Sequence, residues 1–312
     1  MKTIKRLSIA FFLLFIFSCS SNEEDYLNDA IDIIEENSIN KYTTDWKTFR
    51  LDVLKKGRNA KSIKETYPAI RYALSRLADR HSRFKTAEEI KIANNPDRQI
   101  PNIETQLINN NIGYIKIPGF RGTEKVRAKI FAQQIQNKIE ELDTNNIQYW
   151  IVDLGFDNGG YVWPMMLGLG PLLGDGISGY LVDADTNYFN WRIKDGELFH
   201  DKKQIMKLHN PYILKNRIKK LAVIISKHTA SAGEAIAVSF KGSENSRFFG
   251  ETTYGVSTGT TGYKLSDGAV IYVVRTKFAD RNKNIYGVSV KPDVETSYWD
   301  AKETAIEWLN EK

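Results

Sequence analysis

Between Asp25 and about Arg80 the apolar positions recur every three or four residues: Leu27, Ile31 and Ile34, then Trp46, Phe49 and Val53, then Tyr67, Ile70, Leu74 and Leu77. Stripes of that period turn one face of a helix toward a core, so residues 26–84 are expected to form a small N-terminal subdomain of three short helices. Residues 85–111 contain Asn94-Asn95-Pro96 and Asn109-Asn110-Asn111, lose the period, and read as a connecting loop with one extra helical turn. From Ile112 the texture changes. Ile112 to Pro118 predicts a strand, Glu124 to Leu142 a helix with Phe131, Ile135, Ile139 and Leu142 inward, and Ile147 to Leu154 a buried strand. A helix over Met165 to Leu173, an antiparallel pair over 178–192, a strand at Leu221 to Ser226 and a helix from Ser231 to Phe240 follow. Strands near Arg247 to Gly250, Gly259 to Leu265 and Ala269 to Phe278 and a helix around Trp299 to Leu309 complete residues 112–312. This alternation predicts an α/β fold with a mixed, partly parallel sheet and helices on its faces.

Residues 1–18 stand outside that pattern. Lys2, Lys5 and Arg6 precede an apolar run to Phe17 that is too short to span a bilayer as a stable helix, the form of an export signal. Cys19 is the only cysteine and follows Ile16-Phe17-Ser18. The arrangement resembles a bacterial lipoprotein signal, in which the cysteine is lipidated and becomes the new N-terminus; an ordinary cleaved signal with an incidental cysteine is the alternative. Residues 19–25, rich in Ser, Glu and Asp, read as an acidic tether. The expected location is the bacterial cell envelope, with a lipid anchor in the outer membrane and the folded part facing the periplasm or the surface. Loss of Lys2, Lys5 and Arg6, with no acid among the removed residues, lowers the formal charge from +6 to +3. The remaining cations are scattered among acids, so a nucleic-acid partner is not expected.

Two predicted strand ends carry unusual residues, and open sheets of this kind bind ligands at the carboxyl ends of their strands. At the first, the strand at Leu221 runs through Lys227-His228-Thr229-Ala230 into a helix opened by Ser231. A serine at such a corner is held out of the core, and the free N–H groups of the helix start stabilise negative charge on a reacting oxygen. A helix N-cap is the other, commoner role for a hydroxyl there. At the second, Asp153 leads into Asp157-Asn158-Gly159-Gly160, where adjacent glycines bring backbone N–H groups close to a substrate or simply supply the positive φ of a turn. Neither phosphate-binding nor dinucleotide-binding glycine spacing is present. The histidines available as a base are His81, His200, His209 and His228. They show no metal-ligand spacing, and neither a metal nor another cofactor is implied.

Asp79-Arg-His81-Ser82, Ile112 to Pro118, Asp153 to Gly160, Thr229-Ala-Ser231-Ala-Gly-Glu234, Gly250-Glu251-Thr-Thr-Tyr-Gly255 and Lys291-Pro292-Asp293 occur in the order found in the C-terminal processing, or tail-specific, serine proteases, and from about residue 65 to 293 the chain resembles that family. Its better-known branch uses a lysine base after the Gly250-Glu251 segment; Val256 stands at that position, and Lys264 does not match the motif. The chain is therefore similar to the lysine-free branch, which includes the tricorn core protease and the nisin-resistance protein and takes a histidine from the N-terminal part as base; His81 matches it. The resemblance implies a serine endopeptidase acting on a peptide or protein, with Ser231 forming an acyl-enzyme and His81 shuttling the proton. The oxyanion would be held by Ala232 N–H with that of Gly159 or Gly160. Glu234 is expected either to orient a histidine or substrate amine, or to serve as a first-turn carboxylate of the helix. The stretch between His81 and Ile112 is too short for the PDZ domain of familiar processing proteases. An α/β-hydrolase is disfavoured because Thr229 replaces the elbow glycine and no histidine follows Ser231. A penicillin-binding or β-lactamase site would need lysine where Glu234 stands. A surface lipoprotein that binds peptides on this fold without cutting them is the non-enzymatic alternative.

Overall fold

The computed structural model describes residues 22–144 and 146–311, so the signal and Cys19 lie outside the described residues. Helices α1 (Asn22–Asn37), α2 (Trp46–Gly57) and α3 (Ile63–Ser75) come first, followed by strand β1 (Arg83–Lys85), helix α4 (Ala87–Ala93) and strands β2 (Glu104–Ile108) and β3 (Ile112–Lys116). Next are α5 (Lys125–Leu142), β4 (Tyr149–Asp153), α6 (Val162–Gly168) and α7 (Gly170–Leu173), then β5 (Gly176–Asp183), β6 (Tyr188–Lys194), β7 (Glu197–His200) and β8 (Lys203–Lys207). The chain continues through β9 (Lys220–Ile225), α8 (Ala232–Phe240), β10 (Ser246–Gly250), β11 (Thr258–Lys264), β12 (Val270–Ala279), β13 (Val294–Glu295) and α9 (Tyr298–Asn310).

Among the described residues these strands form two sheets, one of them the expected mixed, partly parallel sheet. The first has the order β13-β10-β9-β4-β3-β2, parallel throughout except for β2. Its central strands are buried on both faces, as a parallel sheet covered by helices requires. Val152 and Val223 point into a core with Phe131 and Ile135 of α5 and Ile236 of α8. Their neighbours Ile151, Ala222 and Ile224 point the other way, against Ala301, Ala305 and Leu309 of α9. The second sheet is antiparallel, β1-β12-β5-β6-β7-β8 with β11 also on β12. Trp191, Ile193 and Leu198 of this sheet join the same core as α5 and α8, so the carboxyl ends of β4 and β9 face a space walled by both sheets.

Three expectations change. The helices α1–α3 share a core with Phe84, Ile271 and Val273 of the antiparallel sheet and with Leu265 just after β11, so their apolar stripes are covered by the sheet as well as by one another. The acidic run Glu23-Glu24-Asp25 is the first turn of α1, where carboxylates favourably meet the positive end of the helix dipole, so the tether is shorter than residues 19–25. The stretch 85–111 carries α4, closed by a capping box of Thr86 and Glu89, and the edge strand β2 paired with β3. β2 has a mostly exposed pattern and leaves little apolar signal in the sequence.

Candidate active site

The corner between β9 and α8 is fastened to the turn after β4 by buried hydroxyls. Ser226 Oγ donates to the Gly155 carbonyl, Thr229 Oγ1 donates to the Leu154 carbonyl at 2.8 Å, and Ala230 N–H donates to the Asp157 carbonyl at 3.0 Å. Thr229, which in the sequence departs from a glycine elbow and opens the segment Thr229 to Glu234, is thus the pin of the corner. Ser231 follows with φ 55° and ψ −111°. An ordinary N-cap has extended φ/ψ, and a non-glycine residue held in this sparsely populated region costs on the order of 1–3 kcal/mol. Such strain persists where surrounding bonds over-determine it, and here they do. Glu234 Oε2 accepts the Ser231 N–H at 2.9 Å and the Val256 N–H at 2.9 Å, while Oε1 accepts Thr253 Oγ1 at 2.6 Å and Gly255 N–H at 3.0 Å.

Of the two roles expected for Glu234, that arrangement is the first-turn carboxylate of the helix. The side chain is fully buried and holds four donors, so it has no face left for a histidine or a substrate amine. It is a staple between the first turn of α8 and the segment 253–256.

The turn after β4 comes up against the same corner. Gly159 has φ 95°, and a Cβ there would stand 2.9 Å from Ser231 Cβ; Gly160 has φ 130°, and a Cβ there would stand 2.0 Å from the Phe120 carbonyl oxygen. Both therefore require glycine, by conformation and by space. Their N–H groups differ. That of Gly159 donates to Asp157 Oδ1 at 2.9 Å, whereas those of Gly160 and Ala232 have no acceptor among the described residues. Asp157 itself is buried, its Oδ2 lacks a partner, and burial pushes its carboxyl up to about 7 against the single opposing bond from Gly159.

His81 is delivered by the loop after α3. Asp79 Oδ1 accepts the N–H groups of His81 at 2.9 Å and Ser82 at 2.8 Å, and Ser82 Oγ both donates to Asp79 Oδ2 and accepts Val274 N–H of β12. Ala78 and Arg80 take positive φ on either side of Asp79. The imidazole Nδ1 lies 2.8 Å from Thr258 Oγ1, at the start of β11. Burial is the main cause that pushes its pKa down to about 4; the Arg83 charge adds to it and Asp79 opposes it. The ring is therefore neutral at physiological pH.

Ser231, His81, Thr258, Gly160 and Ala232 line one cavity of about 1010 Å³. Among the described residues no hydrogen bond joins Ser231 to His81; such contacts often tighten only around substrate. His228 lines the same cavity from its exposed rim, stacked on Phe156 at 5.2 Å between ring centroids. His200 and His209 are not in its lining, nor is Lys264, while Val256 is. Thr258 and Asp157 escaped the sequence reading.

The family model for peptidase family S41 matches residues 111–296. The nisin-resistance protein of Lactococcus lactis subsp. lactis is 28% identical over 295 residues, covering 94% of this chain and 89% of that protein. The carboxy-terminal processing protease CtpA of Bacillus subtilis is 24% identical over 196 residues, 62% of this chain and 37% of that one. Among solved structures, a lipoprotein from Streptococcus agalactiae superposes with a TM-score of 0.78 at 24% identity, covering 95% of this chain and 99% of that one. The photosystem II D1 C-terminal processing protease superposes with a TM-score of 0.62 at 16% identity, covering 89% and 94% of the two chains. With a serine-bearing strand end inside the matched segment, the chain belongs to peptidase family S41 and is a serine peptidase.

Proposed function

We propose that the protein is a serine endopeptidase whose nucleophile is Ser231 and whose general base is His81. In the tautomer that donates Nδ1–H to Thr258 Oγ1, whose own hydroxyl faces the Val256 carbonyl at 3.5 Å, the neutral imidazole keeps its Nε2 lone pair as an acceptor. Nε2 takes the proton as Ser231 Oγ bonds to the peptide carbonyl carbon, and the imidazolium then protonates the leaving amine; water releases the acyl group by the reverse sequence. The N–H groups of Gly160 and Ala232 hold the oxyanion, Gly159 being excluded by its bond to Asp157. Glu234 acts through the Ser231 backbone and Thr258 through the imidazole; both are positioning residues. The observation that carries the reading is a strained serine and a half-buried neutral histidine on one cavity.

Cys19 is proposed as the lipidated N-terminus, anchoring the protein to the outer membrane of the cell envelope. A relative named for nisin resistance and a structural neighbour titled a lipoprotein support an envelope location. A peptide-binding lipoprotein without activity is the second reading, favoured by the missing Ser231–His81 bond. Digestion of a peptide library separates the two: the wild-type chain cuts while Ser231→Ala and His81→Ala do not, whereas equal, negligible cutting by all three supports the binder.

A further inference from the structure

The cavity is unevenly charged. Arg80, Arg83, Lys85, Arg98, Arg121 and Lys227 line it, against Glu89 as the single acid in the lining. Glu89 is already engaged, accepting the Thr86 N–H and lying 4.0 Å from Arg71 outside the lining. Two of the cations also have company: Lys227 lies 4.0 Å from Glu251 and Arg80 sits over the Tyr254 ring. Arg80, Arg83, Lys85, Arg98 and Arg121 are in no ion pair among the described residues, and of these Arg83, Arg98 and Arg121 lie close enough to Lys85 for their charges to act on it. Arg83 is half-buried, with its guanidinium over the Tyr272 ring at 4.7 Å. Burial and the charges of Arg83, Arg121 and Arg98 weaken protonation of Lys85 against the opposing Glu89, and burial and Arg121 do the same for Arg83 against Tyr272. Like charges gathered on one wall against a single, already engaged acid repel one another, and a bound anion relieves that cost.

We infer that Arg83, Lys85, Arg98 and Arg121 form a receptor for a carboxylate of the substrate peptide. Arg121 places it beside the chemistry, since its guanidinium donates at 3.1 Å to Asn158 Oδ1, next to the glycine turn. A guanidinium has five donors in a fixed fork, so this bond leaves others for a carboxylate. Trp163, Met166, Trp191 and Phe278 give the same lining an apolar part that suits the neighbouring peptide side chains. The carboxylate is either the α-carboxylate of a chain end or that of an Asp or Glu side chain; both offer the same planar acceptor pair. The inference rests on the cavity being the peptide site proposed above.

Its test reads binding, not turnover. Full-length Ser231→Ala protein in detergent is immobilised and given random short peptides in three forms: neutral with an amidated end, neutral with a free end, and amidated with one glutamate. At least one anionic form is retained about tenfold more than the neutral amide, the scale of a charged hydrogen-bonded pair. That ratio falls toward one when Arg98→Gln or Arg121→Gln, both exposed sites whose change leaves the core intact, is added, and likewise with Arg83→Gln. The arm that wins names the carboxylate. Equal retention of all three forms, no retention of any, or a ratio unmoved by every substitution overturns the inference. Fluorophosphonate labelling of the native protein separates this from the peptidase reading: discrimination without labelled Ser231 leaves the receptor and removes the enzyme, and labelling without discrimination does the converse.

Discussion

Burial of His81 has opposite consequences for activity and for stability. The folded imidazole titrates near 4 and the unfolded one near 6.5, so between those values the unfolded chain takes up a proton that the folded chain refuses. Stability from this site is complete above about pH 6.5 and falls as the pH drops toward 4, by at most about 3 kcal/mol. The urea midpoint therefore declines from neutral pH to about pH 5 in the wild type and declines less in His81→Gln. The reactivity of Ser231, which needs only the neutral ring, holds down to about pH 5 and is lost through about pH 4. Asp157 runs the other way: with its folded pKa raised from 3.8 to about 7, its contribution is complete below about pH 4 and is lost as the pH rises through 7. Asp157→Asn, which mimics the neutral carboxyl, is expected to raise the urea midpoint most above neutrality, less near pH 5, and not at all below about pH 4. Thr258→Val removes the partner of Nδ1 and slows labelling of Ser231 by roughly five- to tenfold, on the scale of one neutral hydrogen bond, while Thr258→Ser restores it.

At the level of elements, the first turn of α8 is held by one carboxylate. Glu234→Ala leaves four donors, three of them backbone N–H groups, without their acceptor. The expected loss is on the order of 3–5 kcal/mol in urea unfolding, with Ser231 labelling lost as well; a loss below about 1 kcal/mol would remove Glu234 from its positioning role. The strand β9 and the helices α5 and α8 are legible in the sequence because each buries a continuous apolar face, and period then reports burial. The edge strand β2 and the hairpin β7–β8 have mixed or exposed patterns and owe their form to backbone pairing, which leaves no mark on composition. Ser231 and the paired glycines are readable because local turn chemistry demands them. Thr258 is not, because its partner His81 lies 177 positions away and a threonine opening a strand is unremarkable.

Across the whole molecule, two sheets and the helices between them bring three distant segments to one cavity: the loop after α3, the turn after β4 and the corner before α8. Sequence order carried that convergence only through the family resemblance; periodicity alone predicted the partly parallel sheet with its added hairpins and did not bring residue 81 and residue 231 to one cavity. The N-terminal helices matter to the site for the same reason, since their shared core with β12 fixes the loop that carries His81. Attachment belongs to this scale too: Cys19→Ala is expected to move the protein from the membrane fraction to the soluble one in fractionated cells. The account stands most directly on Ser231 being an activated nucleophile. Native protein is treated with a fluorophosphonate probe and the adduct located by mass spectrometry, beside Ser231→Ala and His81→Ala. Labelling confined to Ser231 and lost in both variants is the predicted result. A folded native protein that takes no label, or one labelled at Ser231 equally well without His81, would contradict it.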